Sequence, residues 1–212
     1  MEVIPAILEN SWAEVEKKLK LIGNRTDWIQ LDVSDGQFTP NITWAKSQDL
    51  FSLRTDLKIE AHLMINGPWL KAEEWLASPV KRIVVQVEPF ASPESVRFGE
   101  IINTAKKYGK EVVWGFKIET PWQDYKELFQ SVSRVLFLSV NPGYQGQEFD
   151  RRVIDKIVSL RQTYPHIKIE VDGGINPDVI SDLKNAGVNA LVVGSYIFNS
   201  PDYKQAIAAL EA

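Results

Sequence analysis

Eight short runs rich in β-branched and aromatic residues recur along this chain, and between them lie stretches with helical spacing; no other feature restricts the fold so tightly. The runs are VIPAIL at 3–8, WIQLDV at 28–33, LKIEAHL at 57–63, RIVVQV at 82–87, EVVWGFK at 111–117, VLFLSV at 135–140, IKIEV at 167–171 and ALVVG at 190–194. Strands that alternate with helices must pair in parallel, because each crossover returns the chain to the same end of the sheet. Eight such units with little inserted sequence favour closure into a (β/α)8 barrel, an α/β fold. An open doubly wound sheet is disfavoured because AILENSW, after the first run, lacks a glycine-rich turn. No linker or shift in composition divides residues 1–212, so a single barrel domain is expected.

Helix punctuation supports the alternation. Ser11 precedes Glu14 at capping-box spacing, and Trp12, Val15, Leu19 and Ile22 follow on one face. Ser92–Pro93 with Gly109, Thr120–Pro121 with Gln123, and Asn176–Pro177 with Gly187 mark three further helices by cap, first-turn proline or terminal glycine.

Composition narrows the chemistry. The chain has no cysteine, so disulfides, thiolate nucleophiles and sulfur-ligated zinc are excluded. A net charge of -4 without a basic run argues against nucleic acid, which needs clustered Lys and Arg. No apolar run is long enough to span a bilayer and the first residues carry no signal-like segment, so a cytoplasmic protein without membrane contact is expected. Seven tryptophans are expected to pack helices, with a homo-oligomer contact as the other use for Trp44, Trp69, Trp75 and Trp122.

In a parallel barrel the loops after the strands carry function. Gln30 and Asp32 fall there on strand two, His62 on strand three, Gln86 and Glu88 on strand four, Lys117 on strand five and Asp172 on strand seven. Gln30, Asp32 and Ser34 share one face by alternation. A carboxylate inside a barrel needs a partner, a metal or solvent, and Asp32, His62 and Asp172 together are able to ligate a divalent cation. Asp35, before Gly36, reads as a turn former rather than a chemical group. His166 precedes strand seven on the opposite face and is expected at the surface.

Glycine clusters follow the last three strands: NPGYQGQ at 141–147, DGGIN at 172–176 and VGSYIF at 193–198. Loops after strands seven and eight commonly bind phosphate, because glycine lets an anion approach the backbone N–H groups. These clusters contribute Gly143, Tyr144, Gln145, Gly146, Gly173, Gly174, Gly194 and Ser195 to the expected binding set.

These residues resemble the ribulose-phosphate 3-epimerase family through nearly the whole chain. LDVSDGQFTPNITW resembles its signature after strand two, AHLMI its third-strand motif, SVNPGYQGQEF its loop after strand six, and VDGGIN and VGSYIF its phosphate-binding ends. The resemblance implies a ribulose-phosphate-binding barrel that interconverts D-ribulose 5-phosphate and D-xylulose 5-phosphate without an organic cofactor. It also implies Asp32 as the group that removes the C3 proton and Asp172 as the group that delivers one from the opposite face, and it adds His62 and Met64 to the expected binding set. A divalent metal (zinc, manganese, magnesium or iron) is implied on Asp32, His62, Asp172 and a second histidine.

That second histidine is Gln30 here, and an amide oxygen is a weaker donor than imidazole, so metal binding is expected to be weakened or lost. Other departures are Ala6 for a serine, Ser34 for a methionine, Gln86 for a histidine and Gln145 for a glycine. Lys117 is drawn toward the mouth, either to supply charge in place of the metal or to pair with Glu60 or Glu88. The departures keep two alternatives open beside the epimerase: an enzyme for another sugar phosphate with little or no metal, and a phosphate-binding homologue with impaired catalysis.

Overall fold

A computed structural model describes residues 1–211. Its eight strands all pair in parallel and close in chain order, β1 onto β8. They are β1 (Glu2–Ile7), β2 (Trp28–Ser34), β3 (Lys58–Met64), β4 (Arg82–Gln86), β5 (Glu111–Phe116), β6 (Arg134–Leu138), β7 (Lys168–Asp172) and β8 (Ala190–Val193). Each lies within two residues of a run expected from the sequence, because a buried parallel strand must be apolar on both faces and reads as a continuous β-branched segment.

The helical layer is less regular than the alternation suggests. Seven α-helices occur among the described residues: α1 (Trp12–Ile22), α2 (Ala72–Leu76), α3 (Val96–Tyr108), α4 (Arg152–Thr163), α5 (Pro177–Ala186), α6 (Ser195–Phe198) and α7 (Tyr203–Glu211). The β2–β3 and β5–β6 connections carry only 3-10 turns, at Ser47–Ser52 and Trp122–Gln130, and a further 3-10 turn, Pro68–Leu70, precedes α2.

Caps explain which expectations hold. Ser11 accepts from the backbone N–H of Glu14 and α1 buries Val15, Leu19 and Ile22. Asn176 accepts from the N–H of Asp178, and Gly187 ends α5 at φ 88°. The cap of α3 is Ser95, three residues beyond the expected Ser92. Thr120 caps nothing: its hydroxyl donates to Glu88 Oε1 at 2.7 Å, and the segment after Pro121 kinks at Tyr125. A threonine side chain directed at the barrel leaves the first turn without an acceptor, which favours the tighter, shorter helix.

Alternation sorts the strand residues into two packing regions. Outward side chains form a continuous core with the helices, in which Trp75 and Trp114 are fully buried and Trp12, Trp44 and Trp75 pack in series. Trp44 and Trp122 are buried as well, and Trp69 packs on Phe90. Inside the barrel, Ile4, Ala6, Val84, Val113, Leu136, Leu138, Ala190 and Val192 form an apolar plug. Below it, at the N-terminal ends of the strands, Arg82 joins Glu60 (2.5 Å) to Glu170 (2.6 Å), and Arg134 also holds Glu170 (2.6 Å). The Arg82 guanidinium lies 3.8 Å from the Trp28 ring centre. No helix among the described residues is long and apolar enough to cross a membrane.

Candidate active site

The C-terminal ends of β2, β3 and β7 bring Asp32, His62 and Asp172 together. One ligand atom from each lies within 4.8 Å of the others. Backbone register sets this up, since Asp32 pairs with His62 across β2 and β3, Asp32 lies two residues before the end of β2, and Asp172 is the last residue of β7. His62 Nδ1 stands 3.5 Å from Asp32 Oδ1 and 3.4 Å from Asp172 Oδ2. His62 is fully buried, whereas the two acids reach the open pocket above it.

Gln30 completes the group. Its Nε2 donates to Asp32 Oδ1 at 2.7 Å and to Asp172 Oδ2 at 3.0 Å, and lies 3.3 Å from His62 Nδ1. An amide nitrogen carries two protons, so the two carboxylates account for both. The other amide atom, Gln30 Oε1, is buried with no partner. Placing that oxygen among the same three groups would set acceptor against acceptor, which is favourable only around a cation. The donor set therefore fits a divalent metal: two carboxylates, one imidazole and an orphaned amide oxygen that a turn of the Gln30 amide would present.

Electrostatics follow from this crowding. Burial raises the pKa of Asp32, and the nearby Asp172 carboxylate acts in the same direction, against the hydrogen bond from His62. For His62 burial opposes the charged ring, yet the hydrogen bonds to Asp172 and Asp32 outweigh it and push the imidazole up to about 9.

The pocket over the acids is lined by Met64, Gly143, Tyr144, Gln145, Gly146, Gly173, Gly174, Gly194 and Ser195, all named from the sequence, and by Ala6. His62 and Gln30 lie beneath its floor rather than on its wall. Gly173 and Gly174 adopt φ 110° and 63°, and a Cβ on Gly174 would sit 2.5 Å from the backbone nitrogen of Phe149. Only glycine permits that approach. Gln145 reaches back from the β6 loop so that its Nε2 donates to the Ala6 carbonyl at 3.3 Å and rests against Gly194.

Asp35 is a turn former: Oδ1 accepts from the N–H groups of Gln37 and Phe38, and Oδ2 from that of Asn66. These bonds hold its carboxyl below the usual range although burial opposes them. His166 is exposed. For Lys117 the structure corrects one of the two expectations, the ion pair. The residue lies just past β5 with its ammonium 4.0 Å from the Phe38 ring centre, and it forms no ion pair with Glu60 or Glu88 among the described residues. Glu60 is engaged by Arg82 instead.

Two contributors went unnoticed in the sequence. Ser139 donates to the Gly173 carbonyl at 2.6 Å, tying β6 to the turn after β7, and Gln147 donates to the carbonyls of Asn141 and Tyr144, bracing the loop over the pocket. The Gln147–Asn141 spacing was visible, but nothing marked the side chain as folding back.

A closed parallel barrel with paired acids and glycine turns at its C-terminal mouth has the architecture of the (β/α)8 enzymes that carry their chemistry at that end. The chain belongs to the ribulose-phosphate 3-epimerase family, whose description matches residues 2–198. It is 34% identical over 214 residues to ribulose-phosphate 3-epimerase of Synechocystis sp., covering 98% of this chain and 92% of that one. The Helicobacter pylori protein of the same name is 31% identical over 216 residues, covering 100% and 97%. Among solved structures, KGPDC from Streptococcus mutans superposes with a TM-score of 0.77 at 12% identity, covering 99% of this chain and 95% of that one. A 3-hexulose-6-phosphate synthase gives 0.72 at 15%, covering 99% and 98%. At such identities these two likenesses concern the fold alone.

Proposed function

We propose that the protein interconverts D-ribulose 5-phosphate and D-xylulose 5-phosphate by proton transfer at C3, with Asp32 and Asp172 as the two acid–base groups. The observation that carries this reading is that carboxylates from two non-adjacent strands, β2 and β7, converge on one amide nitrogen at 2.7 and 3.0 Å beneath a single pocket. Inverting a carbon beside a ketone without a redox step requires a base on one face and an acid on the other. Asp32 takes the C3 proton as the bonding pair moves toward the carbonyl oxygen. Asp172 returns a proton to the opposite face of C3, so the product differs only in configuration.

Burial of Asp32 favours its protonated form and so strengthens it as a base. Gln30 and His62 hold the two acids apart and aimed upward. The glycine turns at 173–174 and 194–195 are the receptor for the phosphate. Asp32, His62, Asp172 and the turned Gln30 amide would hold a divalent metal, which when bound supplies positive charge to the developing enediolate oxygens.

A related reading, action on a different ketose phosphate, draws on Gln145, whose amide spans to Ala6 where it narrows the pocket. Both readings are tested by following deuterium from solvent into C3 of ribulose 5-phosphate, with and without chelator, beside other ketose phosphates. Exchange into ribulose 5-phosphate is expected. Its absence under both conditions rejects the assignment, and faster exchange into another ketose phosphate selects the second reading.

A further inference from the structure

Gln86 occupies the interior of the barrel with no exposed surface, and its amide sits between three polar groups. On one side is His62 Nε2 at 2.7 Å. On the other are Glu88 Oε2 at 3.0 Å and the Gly115 carbonyl at 3.2 Å. Glu88 Oε2 and the carbonyl can only accept, so the amide nitrogen faces them and the amide oxygen faces His62. An oxygen at 2.7 Å from a ring nitrogen requires that nitrogen to carry the proton. His62 Nε2 is thereby a donor, and Nδ1, the nitrogen beside Asp32 and Asp172, is the atom left to interact with the acids.

Neighbouring residues are shaped around this arrangement. A Cβ at position 115 would lie 2.6 Å from the Gln86 amide, so β5 carries glycine at the place where β4 directs Gln86 inward. The far end of the chain is anchored as well: Glu88 Oε1 accepts from the N–H of Lys117 and the hydroxyl of Thr120, both at 2.7 Å. Those two donors fix which oxygen of Glu88 is free to receive Gln86.

We propose that Gln86 and Glu88 are positioning residues of the acid–base site: the relay Glu88–Gln86–His62 keeps the proton on His62 Nε2 and presents Nδ1 to Asp32 and Asp172. This rests on the epimerase reading for its catalytic consequence, but the hydrogen-bond pattern is independent of any reaction. A buried partner on the second ring nitrogen fixes both ring orientation and tautomer, and loss of such a partner commonly lowers activity or metal affinity about 10–100-fold.

The chain has two histidines, His62 and His166, and His166 is exposed, so the ring nitrogens are readily resolved. Protein labelled with 15N-histidine and freed of metal by chelator is followed by NMR from neutral to alkaline pH, with His166→Asn for assignment. The expected result is a proton on His62 Nε2 throughout, exchanging with solvent at least about 100-fold more slowly than that of His166. Gln86→Met, which fills the space but cannot accept from Nε2, should abolish the slow exchange. It should also lower kcat by about 10-fold or more with a smaller change in KM. Glu88→Gln keeps an acceptor for Lys117 while turning an amide toward Gln86, and should weaken the protection in the same way; it serves where Gln86→Met fails to fold. An unprotonated Nε2 in the neutral ring of the parent protein overturns the proposal, as does unchanged protection in a folded variant. Slow Nε2–H exchange without C3 exchange removes the epimerase reading and leaves the relay, and the converse result removes the relay alone.

Discussion

Gln30 and Asp172 lie on β2 and β7, strands separated by β1 and β8, yet the Gln30 amide nitrogen donates to Asp172 Oδ2 at 3.0 Å. The same nitrogen holds Asp32, so a neutral donor bridges two acids in the position the family resemblance gives to a metal-ligating histidine. Gln30→His should therefore raise divalent-metal affinity by about 10-fold or more, because imidazole is the stronger ligand and no amide need turn. Equilibrium dialysis against manganese and zinc measures this. Unchanged affinity would show that the remaining ligands, not position 30, limit binding.

Asp32→Asn and Asp172→Asn each keep shape and remove a proton acceptor. Each should lower turnover by about 10²–10⁴-fold, the range for loss of a positioned acid or base. Circular dichroism and thermal unfolding should show folded protein in both cases. If either variant retains parental turnover, that residue is not one of the pair.

The strands were legible in the sequence because a buried parallel strand leaves its signature in consecutive residues, as in RIVVQ at 82–86. Asp32 and Asp172 could be placed at the C-terminal mouth because one sits near the end of the second run and the other directly follows the seventh. Gln86 could be placed at the end of strand four, but its role depends on the Gly115 gap across the β4–β5 pairing and on the Glu88 carboxylate and Gly115 carbonyl meeting its amide, which no local pattern records. The ion pair that was one of two expectations for Lys117 fails for a similar reason. Glu60 is claimed by Arg82 from the adjacent strand, Glu88 Oε1 accepts from the Lys117 backbone N–H and the Thr120 hydroxyl, and Phe38 arrives from a loop of irregular sequence. The 3-10 turn after β5 escaped because Thr120 matched a cap by spacing while its hydroxyl was drawn to Glu88.

The charged base of the barrel should govern stability. Arg82→Met leaves Glu60 and Glu170 facing each other with one arginine fewer, and should cost about 3–5 kcal/mol, as for other broken buried pairs. Chemical denaturation measures the loss. A change below about 1 kcal/mol would mean that water or rearrangement satisfies both acids.

The same layer sets a pH dependence. Burial, reinforced by the Glu170 charge, pushes Glu60 up to about 8 from an ordinary value of 4.5, against the pull of Arg82. A raised carboxyl pKa means that the folded protein holds the proton longer than the unfolded chain. The associated stability is thus fully present below about pH 4.5 and is lost as pH rises through about 8. Glu60→Gln should flatten the decline in melting temperature across that window. Parallel curves for variant and parent would place the titrating group elsewhere.

Gly174 offers the most direct probe of the proposed anion receptor. Its φ of 63° and the backbone of Phe149, 2.5 Å from where a Cβ would lie, leave no flexible side chain to yield. Gly174→Ala must therefore shift either the turn after β7 or the loop before α4, and both border the pocket. The variant should raise KM for ribulose 5-phosphate, and the inhibition constant of inorganic phosphate, by about 10-fold or more, since each lost backbone hydrogen bond to a charged group is worth about 1.5–3 kcal/mol. Its kcat should change less, because Asp32 and Asp172 sit on the strands rather than on the displaced turn. A fall confined to kcat, with phosphate inhibition unaltered, would move the anion away from these glycines and onto another part of the mouth.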